Sequence, residues 1–335
     1  MEAQDEAQLC FPQLVNDSCR MPKLQGSETV TVLGGIALSL ASLLTAVLNL
    51  LIIISVSHFR QLHTPTNILL LSLAMSDFLV GLLLMPGNLF RKNTCWMLGD
   101  VLCLLYIYVI ALIISVSIGN IVLISIDRYI AICDPLQYPT RMTLTRVKCC
   151  VGLCWLLGAS YRLLYLKDEL IQPGRNRSCV GECMFSPNSI AGPFDLILNF
   201  IAPVTVIVAL YTKVFVAAVS QARAARSRDA AVTLRLSVKV VTRKSELKAA
   251  RTLGVLIVVY LCCFCPYYCY SRILRNVANN TLMTFFVFLF YFNSCLNPLL
   301  YALFYPWFRK AVRHIVTLQI LQQGSSETNI LQRPE

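Results

Sequence analysis

Residues 293–310 read Asn293-Ser294-Cys295-Leu296-Asn297-Pro298-Leu299-Leu300-Tyr301-Ala302-Leu303-Phe304-Tyr305-Pro306-Trp307-Phe308-Arg309-Lys310, a polar, proline-broken run inside an apolar stretch that then turns amphipathic. A proline in mid-helix frees a backbone carbonyl, and in hydrocarbon that group has to be re-satisfied by side chains or ordered water. Asn293, Ser294 and Asn297 therefore have partners to serve, and polar groups at such depth mark a moving part.

Outward from this run the chain stays apolar. Of 335 residues, 57% are hydrophobic and only 14% charged, and the mean hydropathy is +0.66, which excludes an ordinary soluble enzyme of this size. Windows of about 20 apolar residues, enough to cross roughly 30 Å of hydrocarbon, fall near 30–56, 66–89, 101–126, 147–166, 192–215, 252–273 and 281–304. The expected fold is an all-α membrane protein: residues 1–29 extracellular, a seven-transmembrane helix bundle at 30–304, and residues 305–335 as a C-terminal amphipathic helix to about 320 with a cytoplasmic tail. No cleavable signal peptide is expected, because residues 1–29 are polar and acidic.

Orientation follows from Lys and Arg. The loop after the fifth span carries Lys213, Arg223, Arg226, Arg228, Arg235, Lys239, Arg243 and Lys244, and Arg141, Arg146, Arg309, Lys310 and Arg313 lie on the same side, which makes that side cytoplasmic. The other side holds the acidic N-terminus and three Asn-x-Ser/Thr sequons at Asn16, Asn176 and Asn279, candidates for glycosylation. The net charge of +12 thus reflects topology and attraction to anionic membrane lipid, and no nucleic-acid partner is expected. Of fifteen cysteines, Cys10, Cys19, Cys103, Cys179 and Cys183 fall on the oxidising side and are the candidates for disulfides.

Ionisable residues at membrane depth are few enough to weigh singly. Asp77 shares a level with Asn49, Ser117, Asn293, Ser294 and Asn297; this set either packs helices or holds a hydrated sodium ion, and no other cofactor is expected. Asp127-Arg128-Tyr129 closes the third span and Glu246 opens the sixth, so Arg128 either snorkels to the boundary or is shared between Asp127 and Glu246 as a latch. Asp195, in the outer half of the fifth span, is either a solvated acid at a helix start or an anionic anchor for a cationic ligand. The aromatic residues Phe264, Tyr267, Tyr268 and Tyr291 could wall the same cavity and attract an ammonium group. Pro203, Ile118, Tyr260 and Phe264 sit where a span six bent at Pro266 could repack.

With these residues in place, the chain resembles a rhodopsin-like (class A) G-protein-coupled receptor. The resemblance rests on Asn49, Leu73 to Asp77, Trp96 with Cys103, Asp127-Arg128-Tyr129, Trp155, Pro203 with Tyr211, Cys263-Phe264-Cys265-Pro266, and Asn297-Pro298 with Tyr301. The stretches Phe304 to Lys310, Cys179 to Cys183 and Ile132 to Leu136 are similar to those of a trace amine-associated receptor of fish type. This resemblance implies a Cys103–Cys183 bridge and a second bridge from an N-terminal cysteine to Cys179, with Cys10 the better match and Cys19 the competitor. It also implies switch roles for Asp127, Arg128, Pro203, Tyr211, Asn297, Pro298 and Tyr301.

The chain departs from the amine-receptor pattern where the third-span aspartate would stand: that position is Ile110, between Val109 and Ala111. Asp195 matches an alternative acid position in the family, so the resemblance implies a relocated anchor, with Asn199 nearby and the amine reversed. Phe264 stands where tryptophan is usual, and Tyr260 where phenylalanine is. The function implied is a plasma-membrane, olfactory-type receptor for a small primary amine or diamine, acting through a heterotrimeric, stimulatory G protein and cAMP. Receptors for a non-amine ligand or for a biogenic amine are the alternatives. An enzyme is not expected, since all three histidines fall at the cytoplasmic side. Nor is a transporter, which would show internal repeats around broken helices.

Overall fold

The computed structural model describes residues 9–14, 18–20, 28–172, 179–183, 185, 190–229, 254–255, 257–271 and 280–331. Six helices there are long and apolar enough to cross a membrane: Val32–His58, Pro65–Asn93, Gly99–Cys133, Leu144–Tyr165, Ala191–Ser220 and Leu282–Phe304, while the shorter apolar helix Ile257–Ser271 lies in the sixth predicted window. These are the seven expected spans, numbered here in chain order. The sequons at Asn16, Asn176 and Asn279, and Glu246, lie outside the described residues.

Local chemistry explains where the spans begin. Thr64 and Thr143 precede the second and fourth, and their hydroxyls accept the backbone N–H of Asn67 (3.3 Å) and Arg146 (3.4 Å), each satisfying one of the orphan donors of a helix start. Span three runs past the predicted end at 126 to Cys133, because the charges of Asp127 and Arg128 pair with each other inside the bundle instead of ending the helix.

Prolines set the irregularities. Widened, π-type turns at Val80–Leu84 and Ile197–Ile201 stand just before Pro86 and Pro203, where a missing N–H and a ring pressed on the carbonyl four residues back cannot continue regular α pairing. At Pro298 the helix stays straight enough to remain continuous. The carbonyl it frees, that of Ser294, accepts a 3.0 Å hydrogen bond from Asn49 Nδ2 of span one. Re-satisfaction of a freed carbonyl was the first expectation from the sequence, and the partner turns out to be on another helix.

Span two is mostly buried while spans four and five bury little of their length, and Leu156 and Leu157 of span four and Val208 and Phe215 of span five stand exposed. Such exposure of contiguous apolar surface is what a helix facing hydrocarbon presents. Gly81 is needed at the crossing of spans one and two: a Cβ there would meet Ala46 N at 2.7 Å, and its carbonyl accepts from the Ser42 hydroxyl at 2.6 Å.

After span seven, Pro306–Val316 forms an amphipathic helix with Trp307, Phe308 and Ala311 buried. It stops short of the expected 320 because Leu318 takes a left-handed conformation, φ 57°, and the chain turns back toward span one. There Ser325 Oγ lies 3.0 Å from His58 Nε2, Glu327 pairs with Arg60 at 3.3 Å, and Ile330 is buried.

Candidate functional site

The widened turn at Ile197–Ile201 begins two residues after Asp195 and contains Asn199, so the acid and the amide stand together on the inward face of span five, both buried. The carboxylate is neither solvated nor waiting for a cation. Asp195 Oδ1 accepts hydrogen bonds from Arg162 Nη1 at 2.7 Å, Asn199 Nδ2 at 2.8 Å and the Tyr161 hydroxyl at 3.2 Å. Arg162, from span four, is as deeply buried as its partner; its Nε donates to Ser115 Oγ at 2.8 Å, and Ser115 in turn donates to Asn199 Oδ1 at 2.9 Å. The guanidinium also lies over the rings of Tyr161 and Tyr165, 5.2 and 5.4 Å from their centroids, which adds cation–π attraction.

The reading of Asp195 as a solvated helix-start acid is corrected by its burial, and as a candidate anchor the acid already faces an internal cation. Sequence reading missed Arg162 because it falls in the last turn of its span, where an arginine ordinarily snorkels to the interface. The signal available was its spacing from Tyr161 and Tyr165, which puts aromatic rings around it on one side of the helix.

The aromatic residues expected to wall the cavity stack on one another. Tyr268 stacks with Phe200 (4.7 Å between centroids, 9° between planes), Phe264 packs on Tyr260 at 4.2 Å and on Phe290 at 4.5 Å, and Tyr267 meets Phe290 at 5.0 Å. Tyr291 is buried next to Phe290. Phe200 follows Asn199 on the widened turn, so the stack from span six reaches the residue beside the polar site. Ile110 packs half-buried against the apolar core.

Three disulfides cap this end of the bundle: Cys103–Cys183, Cys19–Cys179 and Cys10–Cys95. The first is as expected; the pairing of Cys10 with Cys179 is overturned. Leu9 is bridged to Arg20 and Cys10 N donates to Cys19 O at 2.8 Å, so the two cysteines stand across from one another and face different partners. Ser18 pairs with Val180, and Cys19 N donates to Val180 O, which aligns Cys19 with Cys179. Trp96 N donates to Gly181 O, bringing Cys95 under Cys10. Gly181, at φ 104°, is required there, since a Cβ would sit 2.8 Å from that of Cys10. Cys95 was overlooked, although five cysteines on an oxidising side is an odd number and an odd cysteine asks for a partner.

With the other two bridges closed, the shortest covalent ring through Cys10–Cys95 runs by way of 10–19, 179–183 and 95–103. A ring of about 24 residues predicts a loss of about 3 kcal/mol, less than the 85-residue separation would suggest. Cys10→Ser should therefore lower the melting temperature of purified receptor and leave Cys95 open to alkylation; an unshifted melt would mean the third bridge is not closed in the folded protein.

At the opposite end, Asp127 Oδ2 accepts from Arg128 Nε at 2.9 Å, from Arg128 Nη2, and from the Thr66 hydroxyl at 3.0 Å, while Oδ1 accepts from the Tyr138 hydroxyl at 2.9 Å. Arg128 is buried, not snorkelled. Tyr138 lies on the helix Tyr138–Arg141, outside the spans; burial first, and then Asp127, push its phenol up to about 12, so it serves as a neutral donor. The expected second partner, Glu246, lies outside the described residues. Tyr211 and Tyr301 are held with hydroxyls that have no partner among the described residues.

Between these ends, Asn297 Nδ2 donates to Asp77 Oδ2 at 2.7 Å and Ser117 donates to Ser76 at 3.0 Å. Asp77 Oδ1 and the Oδ1 atoms of Asn49, Asn293 and Asn297 are buried without a hydrogen-bond partner among the described residues. Pairing among the described residues does not account for these acceptor oxygens.

Comparison with known proteins agrees with this architecture. Residues 48–301 match the family described as 7 transmembrane receptor (rhodopsin family). Trace amine-associated receptor 13c of Danio rerio is 38% identical, with 97% of each chain covered. Trace amine-associated receptor 7e of Mus musculus is 36% identical over 97% of this chain and 92% of its own, and trace amine-associated receptor 5 of Rattus norvegicus 35% identical over 97% and 96%. A bundle of apolar helices, a buried Asp127–Arg128 pair at one end, a disulfide cap at the other, and this similarity along nearly the whole chain place the protein among the rhodopsin-family seven-transmembrane receptors, as a member of the trace amine-associated receptors.

Proposed function

We propose that this receptor sits in the plasma membrane with its disulfide-capped end outside and binds a small primary amine between spans three, four, five and six, passing the event to a stimulatory G protein and cAMP in an olfactory setting. The supporting observation is a buried carboxylate, Asp195, at the capped end, bordered by Asn199 and the aromatic stack that begins at Phe200. Three disulfides belong to an oxidising compartment, and the Lys/Arg-rich loops then face the cytoplasm, where a G protein and anionic lipid would meet them.

The test is a cAMP screen of mono- and diamines on transfected cells, comparing wild type with the neutral pair Asp195→Asn/Arg162→Gln, which removes both charges together. A severalfold cAMP rise is expected in wild type and none in the double variant at equal surface expression. Ile110 favours the second reading, a non-amine ligand; silence to every amine in the panel would select it.

We also propose sodium as the ion at Asp77, with Asn49, Ser117, Asn293, Ser294 and Asn297 around it. Agonist potency should then change when sodium is replaced by N-methylglucamine, and Asp77→Asn should erase that dependence. Equal sodium sensitivity in wild type and variant would refute the site.

A further inference from the structure

Among the described residues the charge that Asp195 meets is the buried guanidinium of Arg162, and a carboxylate so paired has no net charge, which restricts what can bind to it. We propose that the ligand is a short zwitterion, an α- or β-amino acid, whose ammonium lies on Asp195 and whose carboxylate lies on Arg162. The proposal rests on the reading that a ligand ammonium reaches Asp195, and narrows it.

Arg162 is the deciding residue. Its side chain is only 4% exposed, and its described hydrogen bonds use Nε, to Ser115, and Nη1, to Asp195. Nη2 makes none among the described residues, although a guanidinium offers five N–H donors in a rigid fork matched to a planar carboxylate. A buried cation with spare donors is half of an acid-binding site.

The charge balance points the same way. A bare monoamine seated on Asp195 would compete with Arg162 for Oδ1, where Asn199 and Tyr161 also donate. To win, it would leave the guanidinium with a serine hydroxyl as its polar partner, a cost that a bare amine carries and a zwitterion avoids, so the amine binds the more weakly of the two. A zwitterion laid antiparallel to the pair leaves nothing uncompensated: each ligand charge meets an opposite one, and the Arg162–Asp195 contact need not break. Because Nη1 and Oδ1 are 2.7 Å apart, the ligand's two charges have to be close as well, with one or two carbons between nitrogen and carboxyl carbon. Ile110 takes the place of a third-span acid, which would repel the ligand carboxylate.

The experiment measures binding, not coupling. The melting temperature of purified full-length receptor is followed against each of the twenty common α-amino acids and β-alanine, against their methyl esters, which keep the ammonium but lose the acid, and against the decarboxylated amines. At least one amino acid is expected to bind about tenfold or more tighter than both its ester and its amine. Arg162→Gln should bring the three to similar affinity, and Arg162→Lys, which keeps the charge but not the fork, should narrow the advantage of the amino acid over its amine. If esters or decarboxylated amines bind wild type as tightly as the parent acids, the zwitterion is refuted and the amine reading stands. If no ammonium compound binds, both fail. The wild-type comparison decides the matter even if the Arg162 variants do not fold.

Discussion

Asp195→Ala is expected to destabilise the receptor by about 3–5 kcal/mol and to cut its surface expression, while Asp195→Ala/Arg162→Leu recovers most of the loss. The single change strands a guanidinium that is 4% exposed, with Ser115 as its remaining hydrogen-bond partner in the described structure. The double change removes both desolvated charges, and replacing a buried ion pair with apolar side chains is often close to neutral. A double-mutant cycle on melting temperature, with surface expression by flow cytometry, measures the coupling. Additive losses would mean that the two residues are not paired in the folded receptor. The result bears on any functional experiment, because loss of response in Asp195→Ala alone would report misfolding as readily as loss of a ligand contact.

The bundle was legible because each span is a long apolar run, and the landmark residues sit at intervals that few other sequences reproduce. Asp195 was legible for the same reason: a lone acid in an apolar window is conspicuous. What its charge meets was not, since Arg162 lies far away in sequence and only its side chain's reach from the end of span four to span five brings it within 2.7 Å. The role of Pro203 as a landmark was visible, but the widened turn before it, which sets Asn199 beside Asp195, depends on how the freed backbone settles. Disulfide pairing was open in principle, and the backbone pairing of Cys10 with Cys19 decided it by turning the two thiols to different partners. The amphipathic pattern from Pro306 predicted a helix; its early end at Val316 comes from a tertiary event, the return of the tail to bury Ile330 beside the core.

The other large effect is expected at Asp127. Three residues donate to this carboxylate, Arg128, Thr66 and Tyr138, and together they hold the Arg128 side chain in place and tie span two to the helix Tyr138–Arg141. Asp127→Ala removes the counter-charge of an arginine whose side chain is 6% exposed, so Arg128 has to find another acceptor or swing toward water. Either movement opens the end of the bundle that faces the G protein in the proposed orientation. Basal cAMP at matched surface expression should rise severalfold, alongside a stability loss of about 3–5 kcal/mol. Tyr138→Phe deletes one hydrogen bond to a charged acceptor, worth about 1.5–3 kcal/mol, and leaves Arg128 paired. Its basal signal should fall between those of wild type and Asp127→Ala. Because Tyr138→Phe is mild enough to fold, it keeps the test alive if the stronger variant does not reach the surface. Wild-type basal activity in Tyr138→Phe, together with an unchanged or lower signal in Asp127→Ala, would reduce the Asp127–Arg128 pair to a packing element and leave the resting state to be held elsewhere.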